Sequence, residues 1–401
     1  MKVFDLLVLG TGVAGSFAAY KVCKDNPNLK VGIVDLGRPP LKRRRQMEGW
    51  LGCLPTSDGK FYLSDLNKLE SIITKDQINT SFDYLNNLFS RLFDFKEIKT
   101  KKPSKTCLSS LKDNNYSIEY HDYFQTYPKN VHVLSKEMNK FIEDHNNLTY
   151  FFDEEISSVE NTSNGFLVTT NYNKIIGKKI LLSIGRSGWR FTKDIFDFFG
   201  IIKENNIVKY GVRAELGESS LKEFNKSVCT LTKDNIEIGK LSWNGTTIQE
   251  DHLDIALSSY RSNEERWKSE KVSFDIIINK ECKDATYEAD RIAKLSFLLA
   301  NDRVLKEKIH LFMDNKAKIS PLKEFDWLIP LFSNLNNIIP DFTEKAYLYY
   351  PTLKISVPKI NIKNNFETDV EGLYVAGECS GNSGLLYSAL TGISFANTFK
   401  V

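Results

Sequence analysis

Six residues near the amino terminus, Gly10-Thr11-Gly12-Val13-Ala14-Gly15, carry the spacing G-x-G-x-x-G, and Asp35 follows Gly15 by 20 positions. Each glycine in this pattern does something a side chain would prevent. Gly10 permits a tight turn, Gly12 lets the backbone approach a pyrophosphate, and Gly15 lets a helix pack on the preceding strand. The helix beginning at Val13 and Ala14 presents unpaired N–H groups to phosphate charge. Asp35, with Leu36 after it, has the position of an acceptor for ribose hydroxyls. The chemistry implied is dinucleotide binding. The motif alone does not choose between a nicotinamide and a flavin dinucleotide. The bland alternative, a glycine-rich turn that binds nothing, is opposed by the strand and helix patterns on either side.

A second constellation lies near the other end. Residues 371–397 read as a short strand, Leu373 to Ala376, then Gly377-Glu378, a glycine loop reaching Gly384, and a helix of small and apolar residues. This resembles the second flavin-binding motif of the glutathione-reductase-like and p-cresol-hydroxylase-like flavoproteins. The resemblance implies FAD, with Glu378 as the ribityl ligand. It also implies that the backbone at Leu385 and Leu386 lies by flavin N1 and O2. A helix dipole there favours the negative charge that develops on reduction. No histidine or cysteine stands in an attachment motif, so the FAD is expected to be noncovalent. The alternative is an ordinary buried strand, loop and helix.

Three further segments are similar to the bacterial group of uncharacterized FAD-dependent dehydrogenases. They are Pro55-Thr56-Ser57-Asp58-Gly59-Lys60-Phe61; Ile184-Gly185-Arg186-Ser187-Gly188-Trp189 followed by Tyr210-Gly211-Val212-Arg213; and Lys354-Ile355-Ser356-Val357-Pro358. They stand in that group's order. The group's glycine-rich stretch before the first of them is replaced by Gly49-Trp50-Leu51-Gly52-Cys53-Leu54. Lys60 is the one candidate catalytic residue, a cation to stabilise negative charge on the flavin; the alternative is a solvated turn lysine. In the run Lys42-Arg43-Arg44-Arg45, Arg44 or Arg45 is expected near the pyrophosphate or adenine; a solvated loop or a targeting signal is the alternative. Ile156, Gly185 and Arg186 complete the expected cofactor contacts.

These residues need elements to position them. Residues 3–9 read as a buried parallel strand, 13–24 as a helix and 30–35 as the next strand, a β-α-β unit. Residues 129–146 suit an amphipathic helix, and short strands follow from 149 to 184 with a turn at Asn164-Gly165. The expected fold is α/β: a glutathione-reductase-type, Rossmann-like FAD-binding domain with an inserted α+β substrate domain. The expected division is 1–66, 128–206 and 346–401 for the FAD-binding domain, 67–127 for a helical insertion, and 207–345 for the substrate or cap domain.

Composition sets the frame. The 401 residues are 41% hydrophobic and 26% charged, with a net charge of +3, ordinary for a globular protein. So small a charge gives no support to a nucleic-acid or anionic-membrane role. No run approaches the length of a membrane span, and a soluble, cytoplasmic protein is expected. The six cysteines and five histidines show no metal spacing, so no metal is expected; Cys53 and Cys379 lack the spacing of a redox pair. The expected function is an FAD-dependent oxidoreductase acting on a small-molecule substrate. With no second G-x-G-x-x-G, any NAD(P)H that serves as reductant is expected to bind transiently at the substrate side. The alternatives are a flavin-dependent RNA-modifying enzyme, or an FAD-binding protein with a non-redox role.

Overall fold

In the computed structural model, residues 1–252, 255–262, 269–301, 303–354 and 357–400 are described. The chain forms two compact units. Unit 1 is built from Met1–Lys96, Phe124–Asn205 and Ser356–Val401, and unit 2 from Glu97–Tyr123 and Asn206–Ile355.

Unit 1 begins with β1 (Lys2–Leu9), α1 (Val13–Asp25) and β2 (Val31–Asp35). After a short helical turn, Leu66–Leu69, two long helices follow, α2 (Lys75–Leu92) and α3 (Pro128–Asp144). Then come β3 (Leu148–Phe152), β4 (Ile156–Thr162), β5 (Gly165–Thr170), β6 (Lys174–Leu182) and α4 (Trp189–Phe198). The chain closes with β7 (Leu373–Val375) and α5 (Leu385–Thr398). Strands β3, β2, β1, β6 and β7 run parallel in that order. The antiparallel hairpin β4–β5 joins the same outer edge of β6, using Lys174–Gly177, while β7 uses Ile180–Leu182.

The continuous apolar run of β1 is explained by burial on both sides. Leu6 and Val8 join a core with α1, α2, α3 and α5, whereas Leu7 and Leu9 join one with α4. This is the Rossmann-like α/β arrangement the sequence implies. Helix α2 is held at its start by a capping box, Thr74 with Gln77, a pattern that satisfies two otherwise orphan N–H groups.

Unit 2 is α+β. Its seven-stranded sheet is antiparallel, in the order Leu305–Lys308, Tyr347–Leu353, Ile207–Gly217, Lys271–Glu281, Ile236–Trp243, Cys229–Lys233, Ser117–Tyr120. The stretch 67–127, read from the sequence as one helical insertion, divides. Helix α2 belongs to unit 1, and Ser117–Tyr120 is the edge strand of unit 2, paired with Cys229–Thr232. The segment Lys354–Pro358 has its central residues, Ile355 and Ser356, outside the described set. Among the described residues, no helix is long and apolar enough to cross a membrane, and no group of His, Cys, Asp or Glu is arranged to hold a metal.

Candidate dinucleotide-binding site

The first turn has the geometry its glycines suggest. Gly10 has φ +88°, and its N–H donates to Val34 O at 2.8 Å. A Cβ on Gly15 would stand 2.0 Å from Gly10 O, so α1 packs directly on the turn. Gly12 is the N-cap of α1 and offers no capping side chain, and no acidic residue occupies the first turn. A Cβ on Gly12 would make an ordinary contact with Ser183 O at 3.9 Å, so the backbone here is not closed off by overlap as it is at Gly15. Val13 and Ala14 are buried as the first residues of α1.

Asp35 ends β2 with its carboxylate already engaged. Oδ2 accepts from Thr11 N at 2.5 Å and Thr11 Oγ1 at 2.7 Å; Oδ1 accepts from Gly37 N at 2.6 Å and Gly49 N at 2.9 Å. An ionised carboxylate has about four acceptor positions, and this chain fills them. Asp35 therefore ties the glycine turn to the loop after β2. That loop also brings Gly52, at φ +50°, beside Gly12: a Cβ there would lie 3.0 Å from Gly12 Cα. Leu51 N–H donates to Ser16 Oγ, which donates to Thr11 O.

In the basic run, the inward residue is Arg43. It donates to Trp50 O and to Gln46 O at 2.9 Å, and its burial lowers its titration. Arg44 is exposed, and Arg45 is exposed and paired with Glu48 at 2.9 Å. Leu36 is 37% exposed. Ile156 is half-buried at the start of β4, opposite Thr170.

The second constellation forms where β6 and β7 end. Gly377 has φ +65°, and a Cβ there would lie 2.8 Å from that of Ala14. Glu378 faces Arg186 at 3.6 Å, and a Cβ on Gly185 would be 3.8 Å from Glu378 Oε2. The structure thus brings Gly185, Arg186 and Glu378 together across 192 positions of sequence. Gly381, at φ +93°, has nothing within 4 Å of a would-be Cβ. Gly384 is the N-cap of α5 and again supplies no capping side chain; Leu385 is half-buried and Leu386 buried. Helix α5 lies so close to α1 that a Cβ on Gly392 would come 2.1 Å from Ala14 O.

Lys60 is 7% exposed and ion-paired with Asp58 at 3.5 Å. It starts a short strand, Lys60–Tyr62, packed beside α5. Cys379 is fully enclosed: its thiol donates to Ile184 O at 2.9 Å, and burial pushes its titration up to about 12. Such a thiol carries almost no thiolate at neutral pH. All six cysteines are unbridged.

No protein-family model matches the sequence, and no curated protein matches it. Among solved structures, the chain is similar to a glycine oxidase from Geobacillus kaustophilus, at 11% identity and TM-score 0.46, covering 99% of this chain and 94% of that one. A variant of E. coli quinol fumarate reductase matches at 11% identity and TM-score 0.46, over 99% and 70% of the two chains. A flavoprotein/dehydrogenase from Cytophaga hutchinsonii matches at 12% identity and TM-score 0.43, over 99% and 77%.

Proposed function

We propose that unit 1 binds FAD noncovalently and that the protein is an FAD-dependent oxidoreductase acting on a small-molecule substrate. One observation carries this reading. Two helices, α1 and α5, each open at a glycine without a capping side chain, and each follows a strand that flanks β6. Strands β1 and β7 run parallel, so both helix N-termini emerge from the same edge of the sheet. Two strand spacings separate them, about 10 Å. Ligands of such sheets bind outside the carboxyl ends of the strands. A lone phosphate satisfies one such terminus. A dinucleotide whose second base is joined through a polyol chain has a group for each.

The residues fit that ligand. The side-chain-free Gly12 and the uncapped N-terminus of α1 suit the pyrophosphate. Glu378, beside Arg186 and between the two termini, suits the ribityl hydroxyls. Gly384, Leu385 and Leu386 offer backbone N–H groups to the pyrimidine edge. Asp35 serves the adenosine side by fixing the loop that carries Gly49 and Gly52. Exposed Arg44 is the nearer candidate to turn toward phosphate, Arg45 would have to leave Glu48 to do so, and Leu36 and Ile156 border the adenosine end. Bound FAD supplies hydride acceptance and return. Lys60 is the chain's candidate for a cation near that chemistry, its charge offset by Asp58.

The test is the absorbance spectrum of the purified protein, followed by anaerobic titration with NADH and NADPH. A flavin spectrum, with FAD released into the supernatant by heat or acid, is the expected result. A colourless protein that takes up no added FAD, or a yellow acid-precipitated pellet, contradicts it.

A further inference from the structure

Asp65 is 0% exposed and precedes the short helical turn Leu66–Leu69. Its Oδ1 accepts from Lys68 Nζ at 2.7 Å, and the same ammonium donates to Ser383 O at 2.7 Å. Its other oxygen, Oδ2, is buried and has no hydrogen-bond partner among the described residues. That oxygen occupies the space a side chain at Gly384 would need: a Cβ there would come within 2.1 Å of it. Gly384, at φ +141°, is the N-cap of the 14-residue helix α5. A carboxylate is thus fixed against the positive end of that helix. Lys68, 36% exposed on its side chain, links it to the residue before the cap.

Closing a loop does not call for this arrangement. A serine or asparagine at position 65 would also accept from Lys68, without the desolvation cost of a buried charge. What the carboxylate adds is a fixed negative potential at a helix terminus, in surroundings where solvent screens it weakly. We propose, on the flavin reading above, that Asp65 and Lys68 form an opposed charge pair that sets the reduction potential of the flavin held at α5. Reduction places negative charge on the pyrimidine side of the ring. The helix terminus favours that charge, Asp65 opposes it, and Lys68 restores part of what Asp65 removes. Asp65 and Lys68 are positioning residues; neither is assigned a contact with the substrate.

The experiment measures the midpoint potential of FAD bound to the full chain, equilibrated anaerobically with a reference dye and without turnover. Asp65→Asn keeps the shape and removes the charge. It is expected to favour the reduced flavin about tenfold, roughly 30 mV more positive for a two-electron couple. Lys68→Met is expected to move the potential the other way, by less, because that ammonium is partly solvated. A loosened loop would move both variants in one direction. Shifts of the same sign, or no shift in either variant, overturn the proposal. If Asp65→Asn does not accumulate folded, Lys68→Met decides alone, a fall supporting the proposal and a rise or no change overturning it. A parent protein that takes up no FAD overturns the flavin reading and this inference with it; a flavin-loaded parent with same-sign shifts overturns this inference alone.

Discussion

At the scale of single residues, the two acidic groups that close the strands have different surroundings and should fail differently. Asp35 is saturated by Thr11, Gly37 and Gly49. Asp35→Ala strands three buried backbone N–H groups, at about 1–3 kcal/mol for each left unmade. The flavin-free protein should therefore lose several degrees of thermal stability. Weaker FAD binding with an unchanged melting temperature of the flavin-free protein would instead mean that Asp35 acts on the ligand directly. Among the described residues, Glu378 faces Arg186 at 3.6 Å. Glu378→Ala should leave the flavin-free protein nearly as stable and weaken FAD binding by about tenfold or more, since a hydrogen bond to a charged group contributes about 1.5–3 kcal/mol. Dialysis and flavin content read this out; full retention of FAD removes Glu378 from the site. Cys379, with its titration pushed up to about 12 by burial, should resist alkylation in the native state at pH 8 and react once the protein is unfolded. Rapid native labelling of Cys379 would contradict its enclosure.

At the scale of elements, what the sequence makes legible is what local pattern controls. The apolar run before Gly10, the small first turn of α1 and the acidic end of β2 all report on neighbours within about 25 positions, and each appears where the pattern places it. The strand Ser117–Tyr120 is not legible in that way. Its identity comes from pairing with Cys229–Thr232, over a hundred positions distant, and its own residues alternate only weakly in burial. Asp65 is hidden for the same reason: D-x-x-K in a leucine-rich stretch reads as a helical i, i+3 pair, and only the approach of Gly384 gives it a further role. Arg43 rather than Arg44 or Arg45 turns inward because the carbonyls of Gln46 and Trp50 receive it, and three consecutive arginines give no sign of which will do so. The packing of α5 on α1 yields a test at this scale. In Gly392→Ala the new methyl must displace Ala14 O, 2.1 Å away. Overpacking of this kind costs about 1–3 kcal/mol. Because Ala14 also abuts Gly377, both helix termini should shift, and flavin affinity should fall together with stability. Unaltered urea unfolding and FAD binding in this variant would mean the helices separate without cost.

At the scale of the whole molecule, the chain divides into two compact units, and unit 2 has an electrostatic weak point of its own. In unit 2, Glu215 stands on the strand Ile207–Gly217 with 2% of its side chain exposed. Burial alone would raise its titration. Hydrogen bonds from Lys271 at 3.0 Å and from Thr247 N at 3.2 Å outweigh that, and the net shift is downward. Tyr349 donates to the same carboxylate at 3.0 Å. A carboxylate whose folded titration lies below its unfolded one stabilises the fold fully above the unfolded value, near 4.3 for glutamate. That contribution is lost as pH falls through the lowered folded value. Glu215→Gln should therefore be less stable than the parent at pH 7, because Lys271 loses its charged partner. The difference should narrow as the pH falls below about 4, where the parent carboxyl also becomes neutral. Urea unfolding of both proteins at pH 7 and in this acid range checks it, with hydrogen exchange in Lys271–Glu281 reporting on unit 2 itself. A gap between parent and variant that stays constant across that range would show that Glu215 contributes through its shape and not its charge.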